Sequence, residues 1–518
     1  MRCQPNQAAS DCPGTRASVA AEAKAAFDDL LAFCQTCVSP FWLFEKELFV
    51  RVAVLGCCLI RLFLTARHER LDVRPYLKDG AYRPGDNYAK RTLKTFYGEV
   101  TYGRQYLQAR RGGGGFFPLD VVLGLTRDRL TPWVMQWVAR LATRMSFKAA
   151  QMTCRAVLNW APATETIEQV VLGMGREAAP FLRQQPASSA KHPEGDVLVI
   201  EIDGKCPPTA TEEELAKRRG KRRPRHEHSC QCGCQRHRGR VRRDRRGTKK
   251  RRKRGDKSKN GREAMVVVMY TLQRSADGQL HGPLNKKLYA TFAGRKAAAL
   301  WARAEATKRG FGPDTTKTVQ IVLDGAKSLK SSLKPLFPKA IFTLDVCHVV
   351  EKLWALGRHY HKEGSAALAA WVEELKELVY GGNTKILLRH LRLLYKQVPT
   401  RGPGTKGRRR ALTKLIGYLQ PRQRMMRYAH WMEQDLVIAT GQVEGAVRHL
   451  VGERLDCSGM RWVRGKAEAV LHLRCIELNG DWEKFEAWFH CQTRNRLAKG
   501  GGRHKVLTNQ PLPLPKAA

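Results

Sequence analysis

Apolar residues recur at mixed three- and four-residue spacing through residues 18–50 and 51–68, which predicts amphipathic helices there. A glycine run, Gly112 to Gly115, interrupts the chain before Phe116-Phe117-Pro118-Leu119-Asp120. Three short helical stretches follow at 133–143, 147–159 and 164–173, with Ser146 and Thr164 as candidate N-caps. Three helices of this size suit a helix-turn-helix over 133–173, or equally a small helical bundle. On this pattern the first 195 residues read as a mainly helical region.

The texture changes at Asp196. Val197-Leu198-Val199-Ile200-Glu201-Ile202-Asp203 is a β-rich apolar run ending in an acid, and residues 265–270 are a second. Residues 287–292 make a weaker third strand, and 295–308 a helix. Residues 318–324 form a fourth strand, again ending in an acid, then come a short helix at 329–337 and a fifth strand at 340–345. Three strands, a helix, a strand, a helix and a strand is the order of a ribonuclease-H-like α/β core. From 349 to 431 the pattern is helical throughout, with Ile386, Leu387, Leu391 and Leu394 as an apolar face and a basic Gly/Pro break at 400–410. The tail after Leu497 is Gly/Lys-rich and then Pro-rich, which predicts a loose end.

Charge narrows the partner. The 518 residues carry 93 Lys plus Arg against 47 Asp plus Glu, a formal charge of +46. Such an excess repels itself unless a polyanion is bound, and nucleic acid is the first candidate because each neutralised phosphate releases a counterion. Anionic membrane is the second. The apolar run from Val52 to Ile60 is nine residues long between Arg51 and Arg61, too short to cross a bilayer, so no membrane partner is expected. Residues 1–16 are polar and lack a signal-peptide pattern, which predicts a cytoplasmic, nucleoid-associated bacterial protein. The 15 cysteines are scattered and read as free buried thiols, with Cys34 and Cys37 as core.

Residues 217–254 hold twenty Lys/Arg and two acids, Glu227 and Asp244, so they cannot form a core. Arg222, Arg223, Arg242, Arg243, Lys250, Arg251 and Arg252 are candidate phosphate contacts. The same stretch contains His226, His228, Cys230, Cys232, Cys234 and His237. The C-x-C-x-C spacing is not the paired C-x₂-C of structural zinc sites, which leaves two readings: a zinc knuckle built on Cys230, Cys232, Cys234 and His237, or a plain basic arm.

The candidate chemistry lies in three acids. Asp203 and Asp324 each end a strand before a glycine, where a carboxylate can point into the cleft at the sheet's end. Two such carboxylates on neighbouring strands repel unless a cation lies between them, and oxygen-only ligands favour Mg²⁺ or Mn²⁺. Each Asp-Gly also suits a simple turn. A third acid is expected on a later helix. Val443, Ala446, Val447, Leu450 and Val451 form a helical stripe with Glu444 at its edge and Arg448 one turn on; a surface Glu–Arg pair is the alternative.

Asp203-Gly-Lys, Leu-Asp324-Gly-Ala, Leu-Asp345-Val-Cys-His348, Gly441-Gln-Val-Glu444-Gly-Ala and Ser458-Gly-Met-Arg461-Trp462 together resemble bacterial insertion-sequence transposases of the Kra type, relatives of the Mutator-like DDE transposases, over roughly residues 95–490. The resemblance implies an Asp203, Asp324, Glu444 triad holding two Mg²⁺ (or Mn²⁺) ions. It implies an all-helical insertion between Asp324 and Glu444, and an acid-x-x-His element at Asp345 and His348. Arg448, Arg461 and Trp462 are accessory on the same grounds. Asp345 also ends a strand and competes with Asp324 as second acid. Two features depart from the family: Gly112 to Gly115 stands where relatives carry a zinc-ribbon-like cysteine pair, and the basic insertion after Asp203 is long and rich in Cys and His.

The expectation is therefore a DNA transposase that cleaves transposon ends and joins them to target DNA, a homo-oligomer when assembled on DNA. The alternatives are a nuclease of the same fold without strand transfer and an inactive DNA-binding relative. The expected organisation is a helical N-terminal region (1–195), a core first part (196–348) with a basic insertion (206–262), a helical insertion (349–435), core completion with the catalytic helix (436–490) and a tail (491–518).

Overall fold

The computed structural model describes residues 14–77, 80–110, 114–158, 160–184, 193–210, 212, 263–457 and 460–499. The chain divides into two compact units, residues 1–181 with 480–518, and residues 182–479. The basic stretch 217–254, with its candidate zinc ligands and phosphate contacts, lies outside the described residues, as do Gly112, Gly113 and the tail from 500 onward.

In the first unit, α1 (Arg16–Thr36) and α2 (Phe41–Glu69) pair antiparallel. Glu22 to Arg61 and Asp29 to Arg51 bridge them. Cys37-Val38-Ser39-Pro40 separates the helices, because proline ends the β-like segment that opens α2. The boundary predicted near Val50 is corrected accordingly. α2 is 29 residues long and apolar enough to cross a membrane by length and composition. The nine-residue run underestimates it, because Arg51 and Arg61 interrupt the pattern yet are neutralised by α1. Val38, Phe41 and Trp42 are exposed on this hairpin, as is Cys34, while Cys37 is only half-buried; the expected cysteine core does not form.

A second correction follows. After α3 (Arg74–Leu77) the region is not helical: β1 (Tyr82–Lys94) and β2 (Glu99–Ala109) form an antiparallel hairpin. Its turn is held by Thr95 Oγ1, which accepts from the amides of Tyr97 and Gly98, and Gly98 takes φ +143°. Leu64 of α2 packs with Leu93, Val100, Tyr102 and Leu119. Asp120, on α4 (Pro118–Val122), is buried beneath Arg91, Arg104 and the Tyr102 hydroxyl. α5 (Pro132–Arg144), α6 (Phe147–Leu158) and α7 (Thr164–Gln184) are the three predicted helices, with the last one longer. Ser146 Oγ accepts from Ala149 N as a cap, whereas Thr164 is the first residue of its helix.

The second unit is built on a five-stranded sheet. β3 (Val197–Lys205) lies at its centre; a two-residue strand, β4 (Thr209–Ala210), follows it outside the sheet. β5 (Ala264–Arg274), β6 (Leu280–Thr291), then α8 (Arg295–Lys308), β7 (Thr318–Leu323), α9 (Lys327–Leu333) and β8 (Ile341–Leu344) complete it. The order is β6-β5-β3-β7-β8. β5 runs antiparallel to both β3 and β6, whereas β3, β7 and β8 are parallel. Residues 197–202 of β3 are all buried, as expected for a central strand covered on both faces.

From β8 the chain enters a helical body: α10 (Val346–Gly357), α11 (Ala366–Tyr380), α12 (Thr384–Gln397), α13 (Thr405–Leu419), a 3₁₀ turn (Gln420–Met425) and α14 (Tyr428–Met432). Leu387, Leu388 and Leu391 are fully buried there with Val372, Leu412 and Leu419. Leu394 is half-buried and Ile386 is 51% exposed, so the buried stripe is narrower than the sequence pattern indicates. The basic break is also shorter, since α13 starts at Thr405 and takes up Arg408 to Arg410.

The return to the sheet is pinned at four points. Gln320, buried in β7, donates to Val437 O (2.7 Å) and accepts from Val437 N (3.1 Å), an amide pairing that copies a strand ladder. Val346 N donates to Ile438 O at 3.0 Å. Thr440 Oγ1 donates to Asp345 Oδ2 at 2.7 Å, and Val443 N to Glu201 Oε2 at 2.9 Å. There α15 (Gly441–Val447) begins and continues through a π turn (Arg448–Gly452) into α16 (Glu453–Leu455). Buried Arg474, on α17 (Arg464–Leu478), donates to the carbonyls of His449 and Leu450 within the π turn. A short β9 (Trp462–Val463) pairs with β4, and α18 (Trp482–Lys499) belongs to the first unit.

Candidate active site

The parallel β3–β7 ladder ends at Ile202 and Leu323, which sets Asp203 and Asp324 side by side at the same end of the sheet; Asp203 does not end its strand as expected, because β3 runs on to Lys205 paired with β5. Neighbouring strands lie about 4.8 Å apart, which makes these two carboxylates near neighbours. Asp203 Oδ1 accepts from Gly204 N at 2.7 Å and Asp324 Oδ1 from Ala326 N at 2.8 Å. The Asp324 carboxylate thus folds back on its own turn and that of Asp203 on the next amide of β3, and among the described residues neither accepts a further hydrogen bond. Burial, and then the nearby Asp324 charge, push the Asp203 carboxyl above the usual range despite the Gly204 amide.

The Asp324 turn is clamped from the helical body. Tyr418 donates to Asp324 O at 2.8 Å, and Arg422 Nε to Gly325 O at 2.8 Å. Gly325 has φ +87°, and a Cβ there would lie 2.7 Å from Arg422 Nε and 2.8 Å from Leu344.

Glu444 comes to this strand end on the first turn of α15. Partial burial, and then the charges of Asp345, Glu351 and Asp203, hold its carboxyl above the usual range. What aims the helix is Glu201, which is fully buried two residues before Asp203 on the same side of β3. It accepts from the Tyr270 hydroxyl (2.7 Å) and from Val443 N (2.9 Å), an acceptor for a helix-terminal amide. Burial pushes the Glu201 carboxyl up.

Leu323 pairs with Leu344, which sets Asp345 beside Asp324 at the end of the next strand. Asp345 is fully buried and caps α10 by accepting from Cys347 N at 3.0 Å. Its other oxygen accepts from Thr440 and from His348 Nδ1. Burial alone would raise this carboxyl, but the bonds from His348, Thr440 and Cys347 outweigh it and hold it below the usual range. The Asp345 hydrogen bond raises His348 above the ordinary imidazole range. With Nδ1 engaged, Nε2 of His348 is the nitrogen left for a ligand. Asp345, His348 and Glu444 each bring one ligand atom within 4.8 Å of the other two.

The sheet end therefore gathers Asp203, Asp324, Glu444, Asp345 and His348. Arg448 is exposed one turn beyond Glu444. Lys205 reaches Asp456 at 2.9 Å, tying the Asp203 strand to the end of the Glu444 helix. Arg461 is exposed; Trp462 is buried under the Arg454 guanidinium, 4.8 Å from its ring centre, and its amide donates to Pro208 O. Sequence reasoning missed Glu201, Gln320 and Thr440. For Glu201 the signal was an acid inside an otherwise apolar strand, two positions from Asp203.

The model of a family described as "Uncharacterised protein family (UPF0236)" matches residues 42–223, a stretch that includes Asp203 but neither Asp324 nor Glu444. A curated Streptococcus gallolyticus protein, "UPF0236 protein in vanSb 3'region", is 32% identical over 144 residues, 26% of this chain and 30% of that protein. The chain thus spans less than a third of that relative's length. Among solved structures, the Drosophila P element transposase strand transfer complex is similar at 10% identity, covering 69% of this chain and 94% of that one with a TM-score of 0.28.

Proposed function

We propose that this chain is a DNA transposase whose ribonuclease-H-like core uses Asp203, Asp324 and Glu444 to cleave transposon ends and join them to target DNA. The observation that carries the reading is the in-register placement of Asp203 and Asp324 directly after the last β3–β7 pair, with Glu444 delivered to the same end by a helix anchored on Glu201. The strand order, with β5 antiparallel and three parallel strands, supports the core assignment.

The donor set fits divalent cations. It is all oxygen, it is partly open, and burial with like charge already disfavours ionised Asp203, a strain that a cation relieves. Asp203, Asp324 and Glu444 would hold two Mg²⁺ or Mn²⁺ ions, which would lower the pKa of a water or 3′-hydroxyl and stabilise charge on the leaving oxygen. The chain's own part is positioning. Tyr418 and Arg422 fix the Asp324 turn, Glu201 fixes the helix, and Asp345 fixes the His348 ring through Nδ1, which leaves Nε2 as its unengaged nitrogen among the described residues. No protein nucleophile is required.

The proximity of Asp345, His348 and Glu444 favours a second reading, a mixed nitrogen–oxygen cation site. Both oxygens of Asp345 are already occupied by protein donors, so that cluster is better read as an orienting acid beneath a histidine.

The test is purified full-length chain, Mg²⁺ or Mn²⁺, and a plasmid bearing the inverted repeats that flank the gene. Nicks with 3′-hydroxyl ends followed by joined products are expected, and none in EDTA. Hydrolysis without joining moves the protein to the nuclease class, and no phosphodiester chemistry under any metal refutes the assignment.

A further inference from the structure

α12 is an amphipathic helix with an all-basic polar face. Lys385, Arg389, Arg392 and Lys396 follow at spacings of four, three and four residues, so they lie along one side. With Leu388 and Leu393 of the same helix and Gln423 of the 3₁₀ turn they line a groove of about 410 Å³, in which the four cations carry the charge. The helix contains no acid, and all four cations are exposed without an ion pair among the described residues. The preceding helix, α11, behaves differently: Lys376 meets Glu373 at 2.7 Å. Like charges one helical turn apart destabilise a helix by a few tenths of a kcal/mol each, so this face is held against its own repulsion.

We propose that this groove binds the sugar-phosphate backbone of duplex DNA, without regard to sequence. From Lys385 to Lys396 the helix rises roughly 16 Å, which is long enough to follow several consecutive phosphates of one strand. The buried side of the helix, Leu387, Leu388 and Leu391, fixes its backbone to the helical body, so the four cationic side chains spring from fixed positions along one line. The 3₁₀ turn supplying Gln423 also supplies Arg422, which grips the carbonyl of Gly325 beside Asp324. A duplex held in the groove is thereby tied, through one short turn, to the loop that carries the second acid. This last link rests on the transposase reading; the binding itself does not.

The experiment uses the full chain in EDTA, where no cleavage occurs, and a fluorescent duplex of about 30 base pairs in arbitrary sequence. The variant Lys385→Gln, Arg389→Gln, Arg392→Gln, Lys396→Gln is compared with a charge-matched control, Arg16→Gln, Lys24→Gln, Lys46→Gln, Arg70→Gln. The groove variant is expected to bind at least tenfold more weakly near 0.1 M salt and to lose roughly three to four from the magnitude of the log K versus log salt slope, since each phosphate contact contributes about 0.9. Equal slopes for the two variants overturn the proposal, as does loss of affinity for one duplex sequence but not another. Because all four side chains are exposed, an unchanged melting temperature confirms that the fold is intact. If the binding result holds but Mg²⁺-supported cleavage is never found in the wild type, the transposase reading fails while the groove stands.

Discussion

β7 and β8 end side by side in register, and each ends in an aspartate, yet the two acids are treated in opposite ways. Asp345 is fully buried, its two oxygens taken by a backbone amide, a hydroxyl and an imidazole. Asp324 is half-buried, and among the described residues its side chain accepts only from Ala326 N. A carboxylate saturated by protein donors has its place in the fold; one left with free lone pairs at a strand end has room for a ligand. The helical body makes the difference. It supplies Thr440 to Asp345 on its return, but at Asp324 it grips only the backbone, through Tyr418 and Arg422.

The largest effect should come from exchanging charge at these two ends. Asp324→Asn and Asp203→Asn are expected to lower metal-dependent cleavage on the order of 10³-fold or more while duplex affinity is kept. Asp345→Asn keeps one acceptor, for the Cys347 amide, puts an NH2 donor where Oδ2 met Thr440 and His348, and loses the charge that orients His348; it should cost about 10–100-fold, the range for groups that support a ligand. Single-turnover nicking rates decide it. A fully dead Asp345→Asn beside an active Asp324→Asn would reverse the two roles.

Next comes Glu201, which links β3 to the helix of Glu444. Glu201→Ala strands the Val443 amide and the Tyr270 hydroxyl in the core, a loss of roughly 1–3 kcal/mol of stability, and lets α15 drift, with cleavage falling about 10–100-fold. Glu201→Gln keeps one acceptor and should be milder on both counts. Thermal melts and nicking rates together test this; full activity in Glu201→Ala would show that Glu444 is aimed by something else.

The contrast also marks what the sequence could reveal. The acids at the sheet's end were legible because a buried strand reads as an unbroken apolar run; Asp-Gly does end β7 at Asp324, whereas at Asp203-Gly204 the strand continues to Lys205 on its pairing with β5. The helix of Glu444 was legible from its stripe, and the helical body from its leucines. What separates Asp324 from Asp345 was not legible. It depends on Thr440, 95 residues downstream, and on Tyr418 and Arg422, whose partners are backbone carbonyls that leave no pattern in a sequence. The β1–β2 hairpin was missed for another reason. Glu99-Val100-Thr101-Tyr102 does alternate, but its strands lie between long helices whose period dominates the reading.

A smaller effect is expected at Gly325. Alanine there must hold φ near +87° and push against Arg422, at a cost of roughly 1–3 kcal/mol. Because Arg422 holds the Asp324 turn, Gly325→Ala should slow cleavage as well as lower the melting temperature. A stability loss without any change in rate would mean that the turn need not be fixed for Asp324 to act.

The smallest effect lies away from the acids at the sheet's end and shows a third way to hold a carboxylate. Glu468 on α17 accepts from Thr291 Oγ1 and from Phe292 N, each at 2.5 Å, and so ties the helix to the end of β6. His472 Nε2 stands 3.1 Å away, near enough for an ion pair though off the direction of a good hydrogen bond. Burial would raise this carboxyl, but His472, Thr291 and Phe292 together hold it below the usual range. A depressed folded-state value means that the ionised form is bound more tightly in the native state. Its stabilisation is therefore complete above the unfolded value of about 4.5 and drains away as pH falls through the lower folded value. Glu468→Gln, which cannot ionise, should be less stable than the wild type at pH 7 by about 1–2 kcal/mol, the scale of hydrogen bonds to a charged group. The gap should narrow only below pH 4.5, as the wild-type carboxyl takes up its proton. Chemical denaturation of both proteins at pH 7 and at pH 3.5–4.5 measures it. A gap that stays constant across that range would mean that the charge of Glu468 contributes nothing and that its hydrogen bonds act as neutral ones.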